Sequence, residues 1–238
     1  MSTEIIPATS VTDPALFTLV QRLADNKYWL GRRYAEWCTA APTLESAVAA
    51  AAMSQDEIGH ARSHYPLFRQ FVGRDIEPED IDEFHSVSWL DESFGGWVEF
   101  VATNFLLDTA LTVVYEAAQD SSYDDLRNRA RRILGEETIH WLHGLGWVKR
   151  LARESEHTRA ALQEALARIW VETIMWFGPD DDAHLSELVG RGVLRSTPSQ
   201  LREVFLGRIN PILQATDLEQ VADTLPWDRW DRVRFRLR

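Results

Sequence analysis

Gln55-Asp56-Glu57-Ile58-Gly59-His60 and Glu136-Glu137-Thr138-Ile139-His140 are the two stretches on which the reading of this chain turns. Each contains Glu-x-x-His, and the two inner glutamates, Glu57 and Glu137, stand 80 residues apart. Residues three apart on a helix share a face, so each motif can aim one carboxylate and one imidazole at a common point. Two such pairs on two helices, completed by a carboxylate from each of two others, form the ligand set of bundle-core di-iron and di-manganese proteins. Imidazole and carboxylate suit iron or manganese, and no thiolate is required. One Glu-x-x-His carries little weight, because average composition produces it readily by chance. Two copies, each inside its own helical run, carry much more. The competing reading is a pair of solvated Glu-His contacts on the bundle surface. Ile58, Ala61, Ile139 and Leu142 flank the motifs with apolar character, which predicts interior or half-interior faces instead.

The rest of the chain supplies helices to carry such motifs. Asp13-Pro14 reads as a helix start, with Asp capping and Pro at the first helical position. The run is expected to reach about Ala40, before Pro42. A second run spans Thr43 to about Phe71, with Gly73 beyond its end. The acidic, aperiodic segment from Gly73 to Ser93 reads as a connection with at most short helices. Gly95–Gln119 is the third helix. Ser122 caps a fourth that runs to about Arg153, Glu156–Phe177 is the fifth, and Thr197-Pro198 opens a sixth. Alternating apolar-polar runs of strand length are nearly absent. Helices of this length, about 40 Å each at 1.5 Å per residue, predict an all-α bundle. Residues 1–238 are expected to form one helical domain, with a core over about 14–177 and added helices and a tail over 178–238.

Composition narrows the function classes. The chain has 238 residues and a formal net charge of -12, which argues against a nucleic-acid partner. A single cysteine, Cys38, excludes an internal disulfide and a cysteine metal cluster. No apolar run approaches the roughly 20 residues of a membrane span, and the opening MSTEIIPATS lacks a basic-then-apolar leader, so a cytoplasmic protein is expected. No phosphate-cradling glycine loop is present, so electrons for any redox chemistry must come from a separate reductase.

A third ligand carboxylate should come from the third helix, where Glu99, Asp108 and Glu116 are available. Asp108 sits in the apolar run Asn104-Phe105-Leu106-Leu107-Asp108-Thr109-Ala110-Leu111, where a lone acid is costly unless paired or metal-bound. Glu99 and Glu116 read as solvated. The first helix offers Asp25 and Glu36.

These segments resemble the phenylacetate-degradation ferritin-like family, whose members build the phenylacetyl-CoA epoxidase oxygenase complex. Its catalytic subunit binds a dinuclear iron site, and a structural sister subunit of the same fold lacks most of the ligands. The two Glu-x-x-His stretches and Asp108, 29 residues before Glu137, are similar to the catalytic subunit's ligands. Leu23-Ala24-Asp25-Asn26, Glu36-Trp37-Cys38, Ala41-Pro42-Thr43-Leu44-Glu45 and Gly146-Trp147-Val148-Lys149-Arg150-Leu151 look more like the structural subunit. The resemblance covers roughly residues 15–215. It implies a ferritin-like bundle in which Glu57, His60, Asp108, Glu137 and His140 hold non-haem iron, as a di-iron site or, with one ligand lost, a single ion, with manganese the alternative. It implies oxygenation of an aromatic or CoA-linked substrate with O₂, a reductase, a sister subunit and a homo- or hetero-oligomeric assembly. A non-catalytic structural subunit is the alternative.

The same resemblance places the sixth ligand, a first-helix glutamate, on Lys27. A lysine there can snorkel to the surface, pair with Asp108 or Glu57 and leave a one-metal site, or act neutral as a ligand or catalytic base. Carbamylation would restore a carboxylate. Asp25, two residues away, points to the opposite side of the helix.

Other groups read more plainly. The ten tryptophans are expected in the core and at interfaces, with Trp29 and Trp141 near enough to the motifs to wall a substrate pocket. His64 and His143 follow the motif histidines at i+4 and i+3 and are expected on exposed faces, with an alternative ligand as the competing reading. Arg127, Arg129, Arg131 and Arg132 form either a solvated, acid-paired face or a patch for CoA phosphates or an acidic partner.

Overall fold

The computed structural model describes residues 11–81, 83–219 and 224–238. The opening decapeptide, read above as no leader, lies outside the described residues. Helix α1 (Pro14–Ala35) starts as the sequence predicts: Pro14 is its first residue and the Asp13 carboxylate accepts from the Leu16 N–H at 3.1 Å. It ends at Ala35 rather than Ala40, and residues 36–40 form turns. Its buried face runs Leu16, Val20, Leu23, Lys27, Leu30, Tyr34, a spacing of three and four that puts Lys27 among the core positions.

Helix α2 (Leu44–Val72) is capped by Thr43, whose hydroxyl accepts from the Ser46 N–H, and is closed by Gly73 in the left-handed region at φ 76°. It pairs along α1 at close range. Gly31 is the contact point: a Cβ there would stand 2.8 Å from Ile58 Cγ1 and 3.0 Å from both Glu57 Cβ and the Ile58 backbone nitrogen. The Ser54 hydroxyl donates to the Gly31 carbonyl beside it at 2.8 Å.

The connection holds two short 3-10 turns, Pro78–Asp80 and Ser88–Asp91. The third rod is α3 (Trp97–Thr103) and α4 (Thr109–Ala118), joined by a π-helical turn at Asn104–Asp108. By length and composition, Trp97–Ala118 could cross a membrane, which the sequence reading did not anticipate; most of it is buried inside the bundle. Helix α5 (Asp124–Glu154) begins after Tyr123, without a side-chain cap. Ser122, expected as that cap, donates instead to the Arg191 carbonyl. Helix α6 (Glu156–Trp176) has a Ser155–Thr158 capping box and stops before Gly178, at φ 86°. Helices α7 (Ala183–Gly190) and α8 (Pro198–Ala215) follow, the second capped by Thr197 as predicted.

Rods α1, α2, α3–α4 and α5 enclose the core, α6 packs on α3 and α5, and α8 lies along α4. The chain is an all-α, ferritin-like bundle. The described residues add one antiparallel pair, β1 (Trp230–Asp231) and β2 (Arg236–Leu237), in the basic tail. Arginines of that tail pair with Asp181, Glu83 and Asp91 on the body.

Two expectations about the motif surroundings fail. Ile139 and Leu142 are 64% and 55% exposed, because Glu137 and His140 take the inward positions of α5 and these two fall on the other side. His64 is not exposed: it is wholly buried, its Nδ1 2.8 Å from the His60 carbonyl and its Nε2 3.5 Å from the Tyr115 hydroxyl. Burial holds it neutral, with a pKa lowered to about 4. His143 is half-buried, hydrogen-bonded with Asn104 Oδ1 at 3.1 Å.

Candidate metal centre

The bundle axis brings together four donors from three rods. Glu57 (α2), Asp108 (the π turn), Glu137 and His140 (α5) each offer one ligand atom, all lying within 4.8 Å of one another and all buried. Regular α-helical winding across residues 97–118 would leave Asp108 in a different register. The π turn that ends at Asp108 adds the rotation, a device that recurs at functional sites. Asn104 Nδ2 donates to Asp108 Oδ2 at 3.2 Å, and the Tyr34 hydroxyl reaches it at 3.4 Å.

Lys27 stands inside this cage. Its side chain is wholly buried, and Nζ donates to Glu57 Oε1 at 2.9 Å, Asp108 Oδ1 at 2.8 Å and Glu137 Oε1 at 2.6 Å. The ammonium has three protons and three carboxylate partners, so its donors are spent. Snorkelling is therefore excluded by the geometry. Burial alone lowers its pKa, but Asp108, Glu137 and Glu57 outweigh burial and hold it well above the usual lysine value, so the charges favour the ammonium form. Of the alternatives drawn from the sequence, ion pairing is the one the structure contains, and it extends to three acids rather than one.

The imidazoles complete the electrostatics. His140 Nδ1 lies 3.1 Å from Glu57 Oε1 and 3.2 Å from Asp108 Oδ2. Burial opposes its charge, yet the bonds to Asp108 and Glu57 push its pKa up to about 12. Burial opposes the charge on His60 as well, and there the facing carboxylates of Glu137 and Glu57 push the pKa up to about 10. For Asp108, burial works against ionisation, but Lys27 and His140 hold it well below the carboxylate range. Glu137 goes the other way: burial and the neighbouring Asp108 raise it.

Two residues that the sequence reading passed over hold the histidines from outside. His60 Nε2 is hydrogen-bonded to Glu136 Oε2, and His140 Nε2 lies 3.3 Å from Asp56 Oδ2. Each outer acid immediately precedes the ligand glutamate of the opposite motif, so antiparallel α2 and α5 exchange carboxylates. A carboxylate on the far nitrogen of a histidine fixes its ring and tautomer. The signal was present in the sequence as an acid directly before each motif glutamate.

The donor set fits a divalent cation. Glu57 Oε2 and His60 Nδ1 are buried with no hydrogen-bond partner, and they face each other across 3.8 Å. That gap is too wide for a hydrogen bond and suits an ion with two ligand bonds of about 2 Å. His60 Nδ1 also lies 3.4 Å from Glu137 Oε1. Lys27 fills the remainder of the cage, which leaves room for fewer ions than a six-ligand dinuclear site holds.

The remaining sequence candidates fall elsewhere. Asp25 is buried on the other side of α1, accepting from the His85 N–H at 2.8 Å and the Tyr65 hydroxyl at 3.2 Å. Glu36 pairs with Arg33, Glu116 with Arg208 and Glu99 with Arg168. Arg127, Arg129 and Arg131 pair with Asp124, Asp125 and Asp120, the acid-paired face of the two readings. Trp29 packs on Phe84 and Tyr28, away from the cluster, whereas Trp141 stacks on Phe105 beside the π turn, centroids 5.6 Å apart.

Over residues 3–231 the chain matches the family described as phenylacetic acid catabolic protein. It is similar to two different subunits of the 1,2-phenylacetyl-CoA epoxidase of Escherichia coli (strain K12). It is 27% identical to one of them over 203 residues, 80% of this chain and 62% of that subunit. It is 26% identical to the other over 172 residues, 70% of this chain and 69% of that one. The chain therefore spans less than two thirds of the length of the first of these relatives.

Proposed function

We propose a function for this chain on the premise that it belongs to the phenylacetic acid catabolic protein family: it is an oxygenase-type subunit of a phenylacetyl-CoA epoxidase-like assembly, built to hold one iron ion. The observation that carries the reading is the convergence of Glu57, Asp108, Glu137 and His140 donor atoms within 4.8 Å in the dry centre of the bundle. These four would hold the metal, with His60 beside them, and manganese has the same ligand preferences. Bound iron supplies the redox chemistry that activates dioxygen for insertion into an aromatic or CoA-linked substrate.

The protein's own contributions follow from the geometry. Asp56 and Glu136 orient the two imidazoles from outside the cage. Lys27 replaces one anionic ligand by a fixed cation, which favours one ion over two. The Thr112 hydroxyl lies 2.9 Å from Glu137 Oε2 and constrains that carboxylate. The apolar residues of α1, α4 and the π turn exclude water. With no dinucleotide fingerprint in the sequence, electrons come from a separate reductase, and a sister subunit completes the assembly.

A second reading is favoured by one specific observation. Lys27 satisfies three carboxylates without any metal, as a purely structural sister subunit would require. Elemental analysis after anaerobic loading with Fe(II) separates the two. One iron per chain is expected, lost in both Glu57→Ala and His140→Ala while helical circular dichroism is kept. No iron in the loaded wild type would make the chain a scaffold.

A further inference from the structure

We propose that Tyr34, Trp97 and Trp147 form a one-electron path between the buried cluster and the surface, through which an oxidising equivalent left at the cluster is discharged without damage to the surrounding side chains. The proposal rests on the oxygenase reading only for the source of that equivalent, oxidised iron.

Tyr34 is the inner end. It is wholly buried on α1, and its hydroxyl lies 3.4 Å from Asp108 Oδ2. Its ring centroid is 4.7 Å from that of Phe100, which stacks on Trp97 at 4.3 Å. A single ring therefore separates the tyrosine from the tryptophan. From Trp97 the contacts continue outward. Trp147 of α5 meets it edge-on at 5.2 Å, and Trp37, in the turn after α1, lies 5.6 Å away. Both are half-buried, and the exposed Arg150 guanidinium covers the Trp147 ring at 4.7 Å. Rings at these separations are in contact.

Tyrosine and tryptophan give up one electron more readily than phenylalanine or histidine, and the two ends of the path differ in what happens to the proton. When Tyr34 passes an electron to the oxidised cluster, its O–H bond breaks and the proton moves to Asp108 Oδ2, which leaves a neutral phenoxyl radical. Trp97 then returns an electron to Tyr34, the proton comes back from Asp108, and the indole becomes a radical cation. Trp147 refills Trp97, and a one-electron reductant of the thiol or ascorbate class refills Trp147 from solution. Each pass moves one electron from that reductant to the cluster, with no net gain or loss of protons by the chain.

The tryptophan nitrogens suit transit. Trp97 Nε1 and Trp37 Nε1 are buried with no hydrogen-bond partner among the described residues. An indole radical cation settles by giving its N–H proton to a base. With no base in place, Trp97 passes the charge on, whereas Tyr34, beside a carboxylate, can hold it. Tyr115 also stands near the cluster, its ring 5.9 Å from Lys27 Nζ, but its ring neighbour is His64 and no tryptophan continues from it among the described residues. Trp141 stacks on Phe105, whose ring has no proton to give up, so that pair is a control.

The test is flash photolysis of the full chain without metal, using tris(bipyridine)ruthenium and a sacrificial acceptor as photo-oxidant, so that the charge enters at the surface and travels inward. A tryptophanyl radical is expected first and a tyrosyl radical after it, followed by transient absorption and by EPR of frozen samples. Tyr34→Phe should remove most of the tyrosyl signal. Trp97→Phe keeps a ring on Phe100 but no oxidisable link, and should slow tyrosyl formation by an order of magnitude or more with the melting temperature unchanged. Trp147→Phe, a change nearer the surface, should slow it too, and Trp141→Phe should leave it at the wild-type rate. A tyrosyl signal that survives Tyr34→Phe in full, or that forms at the wild-type rate in Trp97→Phe, overturns the path. Either result in a chain that binds iron leaves the oxygenase reading standing. Transfer that Trp97→Phe cuts, in a chain that takes up no iron, supports the path and overturns the oxygenase reading.

Discussion

Lys27 Nζ and Glu137 Oε1 meet at 2.6 Å across 110 residues of sequence, at a point no solvent reaches. This contact, with its two companions to Glu57 and Asp108, makes a helix-one side chain the counter-charge of a carboxylate cage. Removing one partner from a buried ion cluster leaves the others uncompensated, at a cost of about 3–5 kcal/mol.

Lys27→Glu tests that role directly. Without metal, it gathers four carboxylates and should lower stability by about 3–5 kcal/mol. With Fe(II) it should recover most of that loss and bind two ions per chain instead of one. Thermal melts with and without Fe(II), paired with elemental analysis, measure both. An unchanged melt in the metal-free variant would mean that the cage does not need the lysine's charge.

Asp56 and Glu136 lie at the edge of the site with 39% and 42% of their side chains exposed, so their removal should spare the fold. Asp56→Ala and Glu136→Ala are each expected to weaken metal binding about ten- to a hundred-fold by releasing a histidine ring. Titration with Co(II), followed by its visible absorption, reads the affinity. Full affinity in both variants would show that bundle packing alone fixes the imidazoles.

His64 carries one part of the pH dependence of stability. Its pKa falls from 6.5 in the unfolded chain to about 4 when folded, because burial disfavours the charged ring. Between these values the unfolded chain binds the extra proton, so this contribution is complete above pH 6.5 and is lost as pH falls toward 4. At 1.36 kcal/mol per unit the shift is worth about 3 kcal/mol. His64→Leu should remove that slope, read as the difference between wild-type and variant unfolding free energies from about pH 7 to about pH 4. Parallel curves would sink the assignment.

Two glycines of the motif region should respond oppositely to alanine. Gly31→Ala forces a Cβ against Ile58 and Glu57 and should cost about 1–3 kcal/mol. Gly59, inside α2, has nothing within 4 Å of an added methyl, so Gly59→Ala should stabilise by about 1 kcal/mol through helix propensity. Urea denaturation of both variants checks the pair.

The sequence by itself determined the helices and five candidate ligands. Asp13 caps α1 as predicted, and Thr43, Gly73 and Thr197 cap their helices at the boundaries read from the sequence, because cap chemistry is local. Glu57, His60, Glu137 and His140 are legible because a spacing of three fixes a shared helical face before any tertiary contact forms. Asp108 was legible because a lone acid in an apolar run needs a partner. Tertiary structure decided what those partners are. Whether Lys27 escapes to solvent or turns inward depends on the α1–α2 approach at Gly31 and on three carboxylates brought from distant segments, none of which leaves a local trace. Ile139 and Leu142 were misplaced for the same reason. An α5 whose inward positions are taken by Glu137 and His140 must turn apolar neighbours outward, and the free energy of the buried charge cluster, a property of all four rods together, sets that rotation.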